Sequence, residues 1–388
     1  MSTRRSVAMT CAGALAAASF AMGCSSDDTS SGCTQRAIAF VGPLTGQYRR
    51  PPMQNGAELA VAQYNKEHPD CPIGYLPYDS QGDPDLAARL AEQIVDDPQI
   101  LAVLGPSYSG ETAAVMPVFE QVSLANVTAS ATNPTLSQQG WTTFHRAVGT
   151  DDAQGPAAAA FLSDELKVRR VAVIDDSGLY GKTLADLVAA DLGKRGVVIA
   201  PRASLDPKVL DYTSTVGSLA EIGVDAVYYG GVTEPGVRLL KQMRDAGITV
   251  PFMGGDGIFD PSLISGVGEG AQGAFITCPC VDPTDESSPD RKAFAAAYRA
   301  YFGYEPVGFV MEYFDVARLV IAALEDGAGT RAEVDRWLDT ARFVGMTKAI
   351  EFDDSGDITA GPIFVLRVEG DRFAQFATIL DGRVQKNQ

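Results

Sequence analysis

The stretch from Arg169 to Gly196, RRVAVIDDSGLYGKTLADLVAADLGKRG, decides the fold class. It opens on a short, continuously apolar and β-branched run, Arg170–Asp175, the pattern of a strand covered on both faces. A polar turn, Asp175-Asp176-Ser177-Gly178-Leu179-Tyr180-Gly181, follows, and then Thr183–Lys194 carries apolar residues at helical spacing. A doubly covered strand running directly into a helix is the unit of a parallel sheet.

The same unit repeats in both directions. Toward the N-terminus the strand candidates Ala37–Leu44, Ile73–Tyr78, Ile100–Gly105 and Leu124–Ala129 are separated by the helical patterns Gly56–Glu67, Leu86–Val95 and Ala113–Val122. After Pro156–Leu166 and the opening stretch come Val197–Leu205, Ala226–Gly231 and Val250–Gly254, with Tyr212–Ile222 and Pro235–Ala246 between them. Two such series, parted near Gly149–Asp152, predict an α/β chain of two doubly wound parallel-sheet lobes. The alternation then stops. Arg291–Phe302, Val307–Leu324 and Arg331–Ala341 read as helices, and Pro362–Glu369 and Arg372–Leu380 as an antiparallel hairpin about Gly370-Asp371. A chain that builds lobe 1 and lobe 2, returns to the first and ends in the second crosses a hinge three times. The expected division is 35–149 with 281–354 for lobe 1 and 150–280 with 355–388 for lobe 2.

The N-terminus addresses the compartment. Arg4 and Arg5 precede a small, apolar run from Ser6 to Phe20, and Ala21-Met22-Gly23-Cys24 then forms a lipobox-like site. A signal peptide over 1–23, lipidation of Cys24 and a polar tether over 24–34 are expected, placing the protein at the extracytoplasmic face of the cell membrane by a lipid anchor alone. The chain holds 31 Lys and Arg against 49 Asp and Glu, a net charge of −18. Such acidity argues against nucleic acid or anionic lipid as partners. Six cysteines are present. Cys33 and Cys71 each precede a strand of an expected parallel pair and are predicted to form a disulfide. Cys278-Pro279-Cys280 is either two thiols or a tight local disulfide, and its spacing does not suit a zinc knuckle.

Enzyme signatures are missing from the sequence. Its two histidines, His68 and His145, lack a nucleophile in a recognisable elbow, since Gly105-Pro106-Ser107-Tyr108-Ser109 has no second glycine. No HExxH and no GxxxxGK[ST] occurs, and Gly266–Gly270 reads as a surface loop. No catalytic residue, metal site or cofactor is expected.

Four segments at strand ends carry the binding chemistry instead, where open α/β sheets take ligands. Gly105–Thr112 places Ser109 at a helix start, an anion-favouring position, although a plain N-cap serine would look the same. Thr128–Pro134 offers small hydroxylated residues, as an ordinary turn also would. Asp175–Gly181 brings Tyr180, and Phe252–Gly257 brings Asp256 among glycines, a residue type that is equally a helix cap. An anion cradle on one lobe and a carboxylate with an aromatic on the other suit a zwitterion.

On these residues the chain resembles the branched-chain amino-acid (Leu/Ile/Val) binding proteins of ABC transporters, with the type I periplasmic-binding fold. The likeness runs through Val41-Gly42-Pro43-Leu44-Thr45-Gly46, Asn55–Val61, Leu104-Gly105-Pro106, Thr150–Gly155 and Val227-Tyr228-Tyr229-Gly230-Gly231. The resemblance implies an amino acid or amino-acid-like ligand, captured by hinge closure and presented by a monomer to a membrane permease. It assigns the ligand carboxylate to Ser109, Ser130, Ala131 and Thr132, and the ammonium to Asp256, where the family commonly has Glu. It assigns stacking to Tyr180, with Tyr108 beside Ser109 and Tyr48 in the loop that walls the side-chain pocket. Val232 stands where an aromatic often follows the Tyr-Gly-Gly run. Arg49 and Arg50 either meet an acidic side chain or are solvated. A sensor of the same fold, or a binder of amides or other small carboxylates, is the alternative.

Overall fold

The computed structural model describes residues 35–49, 53–200, 202–285, 288–359, 361–380 and 382–386. The expected signal peptide, Cys24, Cys33 and Arg50 lie outside the described residues.

The first sheet holds β1 (Arg36–Gly42), β2 (Ile73–Asp79), β3 (Ile100–Leu104), β4 (Ala125–Thr128) and β5 (Phe144–Arg146), all parallel, in the order β2-β1-β3-β4-β5. The second holds β6 (Arg170–Asp175), β7 (Val198–Ile199), β8 (Ala203–Ser204), β9 (Ala226–Gly230), β10 (Phe252–Gly254) and β11 (Phe275–Cys278). The short pair β12 (Phe343–Val344) and β13 (Ala349–Ile350) stands apart, while β14 (Ile363–Glu369), β15 (Arg372–Leu380) and β16 (Arg383–Lys386) complete the second sheet. Its order is β16-β15-β14-β11-β10-β9-β6-β7, with β8 also on β6; the last three strands in sequence pair antiparallel. The expected hairpin is therefore an edge extension of a mixed sheet.

The helices are α1 (Gln54–Glu67), α2 (Pro84–Asp96), α3 (Ser109–Glu120), α4 (Asp151–Ala160), α5 (Leu179–Lys194), α6 (Thr213–Ile222), α7 (Thr233–Asp245), α8 (Pro261–Val267), α9 (Pro289–Phe302), α10 (Val310–Glu325) and α11 (Arg331–Asp339). None of the described helices is long and apolar enough to cross a membrane.

Alternation along the strands sends side chains to two cores, which is why the runs are apolar throughout. On β1, Ala37, Ala39 and Val41 pack with α2 and α3, whereas Ile38 and Phe40 face the α1 and α10 side. On β6, Val171 and Val173 meet α4 and α5, whereas Ala172 and Ile174 join the core of α6, α7 and α8.

Three chain passages between the sheets run side by side. Arg146 N–H donates to Gly356 O (2.7 Å), pairing the end of β5 with the segment before β14. Gly356 has φ +78°, and a Cβ there would lie 1.9 Å from Phe144 O, so glycine is required for this approach. The passage after β11 lies against the first, where a Cβ on Gly149 would be 3.3 Å from Pro279 Cβ. Cys278 and Cys280 are joined by a disulfide at that passage, which answers the question their spacing left open. Cys71 is disulfide-bonded, and β1 and β2 are the parallel neighbours expected from the sequence.

Several boundaries differ from expectation. Val197–Leu205 is two short strands, β7 and β8, not one. The helix expected from Thr183 starts at Leu179, and that expected from Val307 starts at Val310, after Phe309 with φ +67°. Gly266–Gly270 belongs to the end of α8 and a following 3₁₀ turn rather than to an irregular loop.

Candidate functional site

Strand order reverses between β1 and β3 in the first sheet and between β6 and β9 in the second. At these two switch points successive crossovers leave in opposite directions and open a crevice beyond the strand ends. Glycines let the second crevice form. A Cβ on Gly230 would lie 2.3 Å from Gly181 O, so the first turn of α5 sits on the end of β9 only because both residues are glycine. That contact fixes Tyr180.

A cavity of about 10 Å³ lies between the two crevices. Ser107, Tyr108, Ser109 and Ser130 line it from the first sheet, and Tyr180, Val232, Asp256 and Gly257 from the second. Tyr180 Oη donates to Asp256 Oδ1 (2.8 Å) and accepts the Gly257 N–H (2.9 Å). Burial, and then the Asp256 charge, push the Tyr180 phenol well above its ordinary pKa, which keeps it a donor. Ser109 is the first residue of α3, and its Oγ accepts the Asn133 N–H at 3.3 Å. A hydroxyl that accepts one N–H keeps its own proton to donate, and the helix start beside it favours negative charge. Ser130 Oγ donates to Ser107 O (2.9 Å) and lies 2.9 Å from Tyr313 Oη.

A second cavity of about 550 Å³ adjoins the first and shares Tyr108, Ser109, Tyr180 and Val232 with it. Tyr48 is in its wall, where its carbonyl accepts the Tyr108 hydroxyl at 3.0 Å. Five of the expected residues thus line the small cavity or both. Ala131 and Thr132 line neither. Ala131 O accepts Arg146 Nη1 (3.2 Å), and Thr132 O accepts the Asp151 N–H (2.9 Å), so their backbones are tied to the hinge. Arg49 is exposed and lines neither cavity.

The sheets also touch directly across the cleft. Asn133 Nδ2 donates to Leu179 O (2.9 Å) and Thr183 Oγ1 (3.0 Å), and Gln47 Nε2 to Pro207 O (3.4 Å). This is a closed arrangement. Asn133 was not singled out from the sequence, nor were Asp151 and Gln154. Gln154 Nε2 donates to both Asp151 Oδ1 (2.9 Å) and Asp256 Oδ1 (2.8 Å), clamping two carboxylates that are 0% and 2% exposed.

Burial, and then the Asp256 charge, raise the Asp151 pKa well above the carboxylate range. In the unfolded chain Asp151 titrates near its ordinary value of 3.8. Between those two values the folded protein holds a proton that the unfolded chain has released. Stability from this group is complete below the unfolded pKa and is lost as pH rises through the folded one. Asp151→Asn cannot ionise, so it is expected to flatten the fall of Tm with rising pH measured between about pH 5 and 9. An unchanged slope would place the titration elsewhere.

Among the described residues no group of His, Cys, Asp and Glu is arranged to hold a metal ion. Comparison with known proteins agrees with a binding crevice. A family model described as periplasmic binding protein matches residues 36–372. The chain is 30% identical over 332 residues to an amino acid binding protein of Pseudomonas aeruginosa, covering 83% of this chain and 87% of that one. It is 28% identical over 325 residues to the Leu/Ile/Val-binding protein of Escherichia coli, covering 83% and 87%. The crystal structure of a leucine binding protein from Thermotoga maritima superposes with a TM-score of 0.80 at 25% identity, covering 89% of this chain and 99% of that one.

Proposed function

The chain belongs to the periplasmic binding protein family, and we propose that it is the solute-binding component of an ABC importer, capturing a free amino acid between its two lobes. One observation carries this reading: Ser109 at the start of α3 and Asp256 at the end of β10 line the same small cavity from opposite sheets. A helix start with a hydroxyl suits a carboxylate, and a buried carboxylate suits an ammonium. Neither sheet alone offers both halves, so ligand binding favours the closed form over an open one. The relatives' names, which speak of amino acids, point to the same class.

The compartment follows from the N-terminus. Cys24 carries the lipid, 24–34 is the tether, and Cys33 pairs with Cys71. The lobes divide as 35–149 with 281–354 and 150–280 with 355–388, and the closed monomer is what a permease recognises. Calorimetric titration of the tag-free mature protein with the common amino acids tests the binding class. Tight, one-to-one binding of one chemical group of amino acids supports it. Binding by none of them would overturn it and turn the search to amides and other small carboxylates.

A further inference from the structure

Behind the small cavity lies a residue that lines neither it nor its larger neighbour. Gln154 is 0% exposed and stands in the first turn of α4, three residues after Asp151 and so on the same helix face. Its side-chain amide is engaged at both atoms. Nε2 donates to Asp151 Oδ1 (2.9 Å) and Asp256 Oδ1 (2.8 Å), while Oε1 accepts the Asp256 N–H (3.3 Å). An amide offers two donors and an acceptor at one end, and only this orientation sets the donors against carboxyl groups and the acceptor against an N–H.

One residue thus grips Asp256 twice, at its backbone N–H and at its carboxylate. Tyr180 Oη adds a second donor to the same Oδ1 (2.8 Å). Two donors on one oxygen fix the plane of the carboxylate before a ligand arrives. Both donors are neutral. They hold the Asp256 charge without cancelling it, whereas a lysine or arginine in place of Gln154 would compete with a ligand ammonium. Burial, and then the Asp256 charge, keep the Asp151 carboxyl protonated at neutral pH, so the amide bridges one charge rather than two. The other end of the bridge reaches the first lobe. Asp151 N–H donates to Thr132 O (2.9 Å), and the N–H of the next residue, Asn133, meets Ser109 Oγ (3.3 Å).

We propose that Gln154 is the positioning residue of the ammonium site: it acts through Asp256, whose carboxylate it orients and leaves charged, and through Asp151 it ties that carboxylate to the segment beside Ser109. The role rests on the amino-acid reading given above, because a ligand ammonium defines it.

Two substitutions separate positioning from packing. Gln154→Met keeps length and bulk but loses the donors and the acceptor. Gln154→Glu, in the acid form that burial beside Asp256 favours, keeps an O–H for Asp256 Oδ1 and an acceptor for its N–H. Both are titrated calorimetrically beside wild type at about pH 6, with the common amino acid that wild type binds most tightly, and thermal melts confirm that they fold. Gln154→Met is expected to weaken binding at least about tenfold, and Gln154→Glu to stay within about threefold of wild type. Packing alone predicts the reverse order, since Gln154→Met fills the space and Gln154→Glu buries a further carboxyl. Binding by Gln154→Met within about threefold of wild type would overturn the positioning role and leave the amino-acid clamp standing. A Gln154→Glu protein as weak as Gln154→Met would do the same. No binding of any common amino acid by wild type would overturn the clamp and the role together.

Discussion

Asp256→Ala is expected to weaken amino-acid binding by on the order of 100- to 1,000-fold. Asp256 is 2% exposed and already accepts hydrogen bonds from Tyr180 and Gln154, so its carboxylate is held in place before a ligand arrives. Little ordering cost remains, and an ammonium meeting it is desolvated on all sides. Removing one partner of a buried charge pair costs about 2–5 kcal/mol, largely because the other charge is left buried and unpaired. Stability should fall as well, because the Tyr180 hydroxyl and one Gln154 N–H lose the buried acceptor they share, at a cost of about 1–3 kcal/mol. Ser109→Ala deletes one neutral donor from a site that keeps the helix start, and about tenfold is expected from a hydrogen bond worth about 1 kcal/mol. Calorimetric titration of both variants reads the contrast. An Asp256→Ala protein that binds within about threefold of wild type would remove the carboxylate from the ammonium site.

The parts of this site that were legible in the sequence are those fixed by local chemistry. Ser109, Tyr180 and Asp256 each follow an apolar strand by a few residues, and a strand end in a parallel sheet is already a statement about position. Asn133 lies in the strand-end segment Thr128–Pro134 but was not singled out there, and Gln154 and Asp151 had no such mark. Asn133 acts by reaching Leu179 and Thr183 on the other sheet, and Gln154 by joining two carboxylates 105 residues apart in sequence, contacts that exist only after both lobes are built. The fold shows the same division. The long doubly buried strands β1, β3, β6 and β9 were visible as uninterrupted apolar runs, whereas β5 and β11, of three and four residues, are held by their neighbours and were absent from the predicted series. Ala131 and Thr132 were placed at the ligand carboxylate by the family resemblance, yet they line neither cavity. Their carbonyls instead bind Arg146 and the Asp151 N–H, a role that side-chain chemistry does not announce.

That role makes Arg146 the residue whose loss should damage the protein most. It is 0% exposed, and its guanidinium holds three separate segments. Nε and Nη2 form a fork on Asp357 (2.7 and 2.9 Å), Nη1 donates to Ala131 O and Asn133 O (3.2 and 2.6 Å), and Nη2 also reaches Ser137 Oγ (3.1 Å). The first and third hinge passages and the segment carrying Asn133 are thereby tied to one planar group. Arg146→Ala leaves two carbonyls and a carboxylate without their donor in the interior, at a cost of about 3–5 kcal/mol, or a fall in Tm on the order of 10 °C. Arg146→Lys keeps the charge but not the fork, and should fall between the two. The exposed pair Lys182–Asp186 gives the comparison: Lys182→Ala should cost less than about 0.5 kcal/mol. Thermal melts of the three variants, with calorimetric titration of any that fold, read both consequences. Because Asn133 bridges the closed cleft, Arg146→Lys should also bind ligand more weakly even at temperatures where it is fully folded. A melt for Arg146→Ala within about 2 °C of wild type would mean that the hinge and the ligand segment are held by their backbone pairing alone.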